Sequence, residues 1–125
     1  MIKQIPSNEI ESYTKNNTNL VLLDVRTEEE WNADGKPDGD KIGLKTFFLS
    51  IQYVDGSFNE NFINDFKKLN IDKNCEILTM CMGGIRSQGA AEILTKENYI
   101  CSNISDGFLG NNQSAGWKNS GLPSK

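Results

Sequence analysis

The sequence predicts an α/β domain with a mostly parallel central sheet and helices on both faces. Apolar stretches of strand length alternate with helix-like stretches, which is the order of βαβ units. Residues 20–25 are apolar at nearly every position, as expected for a strand covered on both sides. The chain has 125 residues, 37% hydrophobic and 24% charged, which predicts a single domain spanning residues 1–125.

The N-terminal half contains two predicted helices and two predicted strands. Ser7 is expected to cap the first helix. The strand at residues 20–25 follows, and Thr27 forms a capping box with Glu30 that opens the second helix. Residues 32–46 hold three glycines and a proline and are predicted to form a long polar loop, after which FFLSI is a short strand candidate.

The second half repeats the alternation of helix and strand. A capping box of Ser57 and Glu60 precedes the helical pattern NFINDFKKL. The next strand is predicted at residues 76–81. The helical stretch RSQGAAEILTKE then leads to the strand-like YICSNIS and to a loop-rich end with one helical turn at Trp117.

Charge and composition exclude several classes of partner. The net charge is −4, with no basic run of the kind that nucleic acid or an anionic membrane surface requires, so we expect neither partner. The N-terminus lacks the apolar region of a signal peptide, and no stretch approaches the ~18 apolar residues of a membrane span. We therefore expect a cytoplasmic protein.

The cysteine and histidine content restricts the chemistry. Three cysteines make a disulfide framework improbable in a reducing compartment, and at least one thiol is free. The absence of histidine excludes a Cys–His catalytic pair and leaves too few ligands for an ordinary zinc site, so no metal or cofactor is expected. Cys75 and Cys101 are interpreted as core or loop thiols.

Cys81 stands apart because of its position and its neighbours. It lies where a predicted strand passes into a helix, the place where open parallel sheets bind ligands. Gly83 and Gly84 allow the amides of residues 82–87 to form a cradle for an anion, and the helix dipole favours a thiolate there. Arg86 opposes that dipole, so it is expected to face a thiolate or an anionic substrate.

Three segments resemble the rhodanese-like sulfurtransferases, in a single-domain bacterial branch. CMGGIRS resembles the active-site loop of that family, LLDVRTEEEW resembles its Asp-Val-Arg segment, and DGFLG with GWKNSGLP resembles its C-terminal segment. The matching residues are Cys81, Gly84, Arg86 and Ser87; Asp24, Val25, Arg26, Glu30 and Trp31; and Asp106, Gly107, Trp117, Gly121 and Pro123. Residues 32–46 and the lengthened 108–117 loop depart from the common pattern of the family.

The resemblance implies an enzyme that carries sulfur on Cys81. The thiolate takes sulfane sulfur from a donor as a persulfide and passes it to a thiophilic acceptor, in a double displacement. The loop that binds the persulfide comprises Met82, Gly83, Gly84, Ile85, Arg86 and Ser87. The expected donor is thiosulfate or another sulfane or mercapto compound, and the acceptor is a thiol or a protein. Members that use thiosulfate often place basic residues where this chain has Met82 and Gly83.

Three further residues are candidates for a supporting role. Asp24 either hydrogen-bonds active-site backbone or pairs with Arg26, and the ion pair is the preferred interpretation. Phe108 either lines the pocket or belongs to the core, with neither interpretation favoured.

Two alternatives to catalysis of sulfur transfer stay open. In the first alternative, the protein is a non-catalytic module that uses the same cysteine to carry persulfide, or to sense oxidation, for a partner protein. A cysteine-loop phosphatase or arsenate reductase is less favoured, because four residues separate Cys81 from Arg86 whereas those enzymes are known for five.

Overall fold

The computed structural model describes the whole chain, residues 1–125, and has one five-stranded sheet in which every strand pair is parallel. The strands are β1 (Lys3–Ile5), β2 (Leu20–Asp24), β3 (Lys45–Phe48), β4 (Glu76–Met80) and β5 (Ile100–Ile104). Their order across the sheet is β1-β5-β4-β2-β3. The predicted α/β class is therefore confirmed, with a sheet that is wholly parallel.

Helices cover both faces of the sheet. They are α1 (Ile10–Asn16), α2 (Glu28–Asp34), α3 (Phe62–Lys67), α4 (Ile85–Lys96) and α5 (Gly116–Asn119), with 3₁₀ segments at Ser7–Glu9 and Gly39–Ile42. Helices α3 and α4 pack on one face, and α1 and α5 pack on the other. The longest helix, α4, has 12 residues, and no helix has both the length and the apolar character needed to cross a bilayer.

Alternation along the central strands divides the core in two. Leu23 of β2 and Ile77 of β4 belong to the core under α3 and α4, whereas Leu22 and Leu78 belong to the core under α1 and α5. All four side chains are fully buried. Successive strand residues point to opposite faces, so an apolar run is what a doubly covered strand requires.

The strand order creates a crevice at the carboxyl end of the sheet. The chain leaves β2 toward β3 on one side, and it leaves β4 toward β5 on the other side. Strands β2 and β4 are direct neighbours, with Asp24 paired to Met80 at their ends. Such a switch point leaves room between the departing connections, and it is where open parallel sheets bind ligands.

Several local predictions were wrong. The edge strand β1 was not predicted. Ser7 does not cap a helix with its side chain; its hydroxyl donates to Asp106 Oδ1 at 2.8 Å. The capping box at Ser57 is absent, because that hydroxyl donates to Asp55 Oδ1 at 2.7 Å and α3 begins only at Phe62. Both serine hydroxyls thus donate to an aspartate instead of accepting the backbone N–H of a helix, which is what a cap requires.

The predicted polar loop at 32–46 contains more structure than expected. Helix α2 extends to Asp34, the 3₁₀ segment Gly39–Ile42 follows, and β3 starts at Lys45. Pro37 and Ser124 form an antiparallel bridge, so the C-terminal tail lies against this connection. Long-range pairing with the tail therefore orders a stretch that looks irregular in sequence.

Candidate active site

The Cys81 sulfur lies at the crevice between the two central strands, immediately after β4. Its residue is only 1% exposed. Two groups donate to Sγ: the backbone amide of Gly84 at 3.2 Å and the hydroxyl of Ser87 at 3.3 Å. Helix α4 starts at Ile85, so its positive end faces the same sulfur. These three features stabilise negative charge on Sγ.

Gly84 is required by both conformation and space. Its φ is +109°, which strains any residue with a Cβ, and an added Cβ would overlap the Ser105 carbonyl oxygen. The active-site loop is therefore pressed against the end of β5. That close packing directs the Gly84 N–H at the cysteine sulfur.

A second loop fixes the first by backbone hydrogen bonds. Phe108 N donates to the Cys81 carbonyl oxygen at 2.8 Å, and Leu109 N donates to the Met82 carbonyl oxygen at 3.1 Å. Gly107 has a φ of +63°, and a Cβ there would lie 2.6 Å from the Cys81 carbonyl oxygen. The resemblance placed this glycine in the C-terminal segment, and in the structure it allows the two loops to touch.

Phe108 is a core residue rather than a wall of the pocket. Its side chain is fully buried with Trp117 and the apolar residues under α1 and α5. The Arg26 guanidinium carbon lies 4.2 Å from the centre of its ring. Phe108 thus supports the site by packing, and the interpretation as a pocket wall is wrong.

Asp24 and Arg26 form the expected ion pair beneath the crevice. Both side chains are fully buried, with Arg26 Nη2 at 2.8 Å from Asp24 Oδ2. Asp24 Oδ1 also accepts from the Arg26 backbone N–H at 3.0 Å, and Nη2 donates to the Gly35 carbonyl oxygen at 2.9 Å. Neither residue contacts Cys81 by a hydrogen bond. The pair holds the end of β2 and the end of α2 in place.

Arg86 points to a carboxylate, not to the cysteine. Its Nη1 and Nη2 donate to Glu30 Oε1 and Oε2 at 2.7 and 2.8 Å, as a bidentate pair between α4 and α2. The expectation that Arg86 faces a thiolate or substrate is therefore corrected, because Glu30 supplies the negative charge. Glu30 also completes the predicted capping box with Thr27.

The ion pair sets the protonation of both partners. Burial alone raises the pKa of Glu30, but the hydrogen bonds from Arg86 and Thr27 outweigh it and lower that pKa to about 2. The hydrogen bond to Glu30 raises the pKa of Arg86 above its ordinary value. Both groups remain charged across the physiological range, and the carboxylate of Glu30 compensates the charge of Arg86.

A buried polar network continues from Ser87 into β5. Ser87 Oγ lies 2.6 Å from Asn103 Oδ1, and Thr79 Oγ1 lies 3.3 Å from the same oxygen. The Asn103 amide nitrogen donates to the Gly84 carbonyl oxygen at 3.0 Å and to Gln4 Oε1 at 2.9 Å. Asn103 thereby ties the hydroxyl beside the sulfur to the loop backbone.

The lengthened 108–117 loop contacts the active-site loop through Asn111. Asn111 Nδ2 donates to the Gly83 carbonyl oxygen at 3.0 Å and to the Ser105 carbonyl oxygen at 3.1 Å. Met82 is partly buried, and Ile85 is 87% exposed. Through these hydrogen bonds the 108–117 loop holds the active-site loop in place.

Glu30, Asn103 and Asn111 were not predicted as site residues. An asparagine in the middle of a central strand is unfavourable, and that was the available signal for Asn103. Glu30 was identified as a capping residue and as part of the Asp-Val-Arg segment, but its pairing with Arg86 was not predicted because the two residues lie 56 positions apart. Nothing in the sequence singles out Asn111.

The other two cysteines lie outside this site. Cys75 is partly buried and Cys101 is buried. Burial raises the pKa of the Cys101 thiol to about 11, which keeps it protonated and unreactive. No group of three or more histidine, cysteine, aspartate or glutamate side chains is arranged to hold a metal ion.

Comparison with known proteins agrees with this geometry. The rhodanese-like domain family matches residues 11–113. The uncharacterized protein RP600 of Rickettsia prowazekii is 43% identical over 109 residues, covering 86% of this chain and 84% of the relative.

Two solved structures share the fold. The crystal structure of Rv0390 from M. tuberculosis has a TM-score of 0.85 at 30% identity, covering 98% of this chain and 96% of the other. A rhodanese-like domain protein from Staphylococcus aureus has a TM-score of 0.69 at 21% identity, covering 99% of both chains. With its cysteine at the switch point of a wholly parallel sheet, this chain belongs to the rhodanese-like domain family.

Proposed function

We propose that this protein is a sulfurtransferase that holds transferred sulfur on Cys81 as a persulfide. The observation that carries the proposal is the pair of donors on Cys81 Sγ, the Gly84 amide and the Ser87 hydroxyl, at the positive end of α4. A group that alternates between thiolate and persulfide anion needs fixed donors of this kind at the sulfur. No cofactor is required, because the cysteine itself carries the sulfur.

In the first step the Cys81 thiolate attacks the outer sulfur of a sulfane donor. A sulfur–sulfur bond forms to Sγ, and the bond between the outer sulfur and the rest of the donor breaks. The leaving fragment departs with the bonding electron pair, as sulfite does from thiosulfate. The negative charge moves to the terminal sulfur of the persulfide, so no external oxidant or reductant takes part.

The polar network supports both states of the cysteine. Asn103 uses its amide nitrogen for Gly84 and Gln4, so its oxygen accepts from Ser87. With a neutral Cys81, the Ser87 oxygen then accepts the thiol hydrogen. With an anionic sulfur, the Ser87 hydroxyl rotates and donates to it. Asn103 is therefore a positioning residue for the hydroxyl that serves the sulfur.

Discharge of the persulfide reverses the bond changes. The thiolate of an acceptor attacks the terminal sulfur, the bond to Cys81 Sγ breaks, and Cys81 leaves as a thiolate. A carrier module uses the same loaded cysteine but meets a dedicated donor and acceptor. Multiple turnovers with a small donor distinguish the enzyme from the carrier.

The test measures sulfur transfer from thiosulfate and from 3-mercaptopyruvate to cyanide and to dithiothreitol. We expect turnover by the unmodified protein and by Cys101→Ser, and none by a folded Cys81→Ser variant. Hydrolysis of aryl phosphates serves as the competing assay, since the loop of four residues is short for a tetrahedral oxyanion. Turnover of aryl phosphates without sulfur transfer would overturn the proposal.

A further inference from the structure

A groove lies beside the active-site loop, between α2 and the turn that follows β3. Its volume is about 420 Å³. One wall belongs to α2 and its cap, and the other belongs to residues 52–56. Its lining includes Glu29, Glu30, Asp34, Tyr53, Val54 and Arg86.

The groove adjoins the first turn of α4, the helix that follows the active-site loop, although Cys81 itself does not line it. Arg86 lines it and lies two residues after Gly84, whose amide donates to Cys81 Sγ. Two peptide steps place the Cα atoms of Arg86 and Gly84 within about 7.6 Å. A persulfide would extend the reactive atom by a further ~2 Å beyond Sγ. A partner that occupies the groove would therefore contact the helix that carries Arg86, two residues beyond the amide that donates to Cys81 Sγ.

The charge of the groove is negative. Arg86 is its one basic lining residue, and that charge is paired with Glu30. Glu29 and Asp34 remain without a cation in the groove wall, although Lys118 donates to the Asp34 carbonyl oxygen at 2.9 Å from outside. The anionic character is therefore strongest at Glu29. The field within the groove attracts cationic groups.

Two exposed apolar side chains line the groove, and two more belong to residues that adjoin lining residues. The large apolar residues exposed in this protein are Met1, Tyr53, Val54, Phe58, Ile85 and Ile100. Tyr53 and Val54 line the groove, Phe58 bridges the lining residue Gln52, and Ile85 precedes Arg86. Val54 is 72% exposed. A concentration of apolar side chains on one side of a small protein indicates a contact surface.

The apolar wall is preformed. Tyr53 N donates to the Ser57 carbonyl oxygen at 2.8 Å, and Gly56 N donates to the Tyr53 carbonyl oxygen at 2.8 Å, which closes a tight turn. Ile51 N anchors this turn to the Val25 carbonyl oxygen at 3.2 Å. The turn thus presents Tyr53 and Val54 on a backbone that is already ordered by hydrogen bonds, which reduces the entropy lost on binding.

We propose that this groove docks the sulfur acceptor, a partner protein whose reactive cysteine has a lysine or arginine and an aliphatic side chain beside it. The inference rests on the proposed function and specifies its acceptor. The basic side chain would lie against Glu29 and Asp34, and the aliphatic one against Tyr53 and Val54. A second copy of this chain is a poor occupant, because the protein carries a net charge of −4.

The transfer step is the discharge reaction with a protein thiolate as the nucleophile. The thiolate of the docked cysteine bonds to the terminal sulfur, and the bond between that sulfur and Cys81 Sγ breaks. Cys81 is released as a thiolate, and the partner leaves as the persulfide. The near-complete burial of Cys81 favours an acceptor held in position over one that collides at random.

The experiment starts from protein loaded with sulfur on Cys81 and freed of donor. Its discharge is timed with two peptides, Ac-Leu-Cys-Lys-amide and Ac-Leu-Cys-Glu-amide. We expect the basic peptide to react about tenfold faster at low salt, with the preference shrinking as ionic strength rises. Equal rates with the two peptides would overturn the proposal.

Two double variants test whether the groove causes the preference for the basic peptide. Glu29→Lys with Asp34→Lys is expected to abolish or reverse the preference for the basic peptide. Glu9→Lys with Glu11→Lys makes the same charge change at and beside α1, on the other face of the sheet from α4, and is expected to retain the preference. Loss of preference in both would mean that net charge, not the groove, selects the acceptor.

A third variant tests the apolar wall of the groove. The loading of sulfur on Cys81 distinguishes failure of the proposed function from failure of the docking proposal. Val54→Ser is expected to slow both peptides about threefold, since burial of the leucine against the turn contributes roughly 0.6 kcal/mol less. Unchanged rates for Val54→Ser would remove the apolar part of the proposal. Failure of the unmodified protein to load sulfur would instead refute the proposed function.

Discussion

Replacing Glu30 by glutamine removes the negative charge that pairs with Arg86 while retaining a side chain that serves a capping box. The N-cap Thr27 accepts from the Glu30 backbone N–H at 3.1 Å, and the Glu30 side chain accepts from the Thr27 backbone N–H at 3.0 Å. Glutamine at this position supports the same capping pattern. The substitution therefore isolates the ion pair between α2 and α4.

The size of the effect follows from the Glu30 pKa. A fall from 4.5 to about 2 corresponds to about 3 kcal/mol if the whole shift is converted to free energy. Each side chain of the pair is 22% exposed, so solvent screens part of it. We expect Glu30→Gln to lower the free energy of unfolding by about 1–2 kcal/mol near neutral pH.

The pH dependence has a definite sign. The pKa of Glu30 is lower in the folded protein, so its stabilisation is complete above pH 4.5 and is lost as the pH falls towards about 2. The difference between the two proteins should therefore be constant near neutrality and vanish at the acid end. Denaturant unfolding followed by tryptophan fluorescence at several pH values measures it.

Glu29→Gln is the matched control. It removes the same charge from the adjacent position of α2, where no hydrogen bond or ion pair involves the side chain. Its effect on stability should stay within about 0.5 kcal/mol. Equal losses in Glu29→Gln and Glu30→Gln, or a Glu30→Gln loss that persists at pH 2, would refute the reasoning.

Further predictions concern the sulfur and its supports. Cys81→Ser should abolish sulfur loading with a stability change below about 1 kcal/mol, whereas Cys75→Ser should load normally; loading that survives in folded Cys81→Ser would refute the assignment. Asn103→Ala removes one of the two acceptors of the Ser87 hydroxyl and the amide that donates to the Gly84 carbonyl oxygen, so it should lower the free energy of unfolding by about 1–3 kcal/mol and shorten the lifetime of the persulfide, measured by unfolding and by timed mass spectrometry; an unchanged lifetime would contradict the positioning role. Gly107→Ala should destabilise the protein by more than about 2 kcal/mol in thermal melts, because its Cβ would strike the Cys81 carbonyl oxygen; wild-type stability would show that the loops can separate.

The parts of the fold that were predicted correctly depend on local signals. Apolar runs of strand length and the Thr27–Glu30 capping box act over a few residues, and both are present in the structure. The position of Cys81 at the end of a strand followed from the same signals together with the glycines after it. The local sequence is enough to predict a helix or strand when the element is long and its pattern of apolar residues is repeated.

The failures involve contacts between distant parts of the chain. Strand β1 has three residues and exists because it pairs with β5, about 100 positions away. Ser7 bonds Asp106 instead of capping its own helix. The Arg86–Glu30 pair likewise joins two helices that only the tertiary fold brings together. Spacing in sequence carries no information about such partners, so side chains were assigned to their nearest neighbours.

In the proposed reaction, the transferred sulfur resides on Cys81 as a persulfide. Mass spectrometry of the protein after incubation with thiosulfate, and separately with 3-mercaptopyruvate, followed by removal of the donor, tests it most directly. We expect one added sulfur atom on the peptide that contains Cys81, lost when dithiothreitol is added and absent from Cys81→Ser. An unmodified Cys81 peptide after both donors, or sulfur found only on Cys75 or Cys101, would contradict the account.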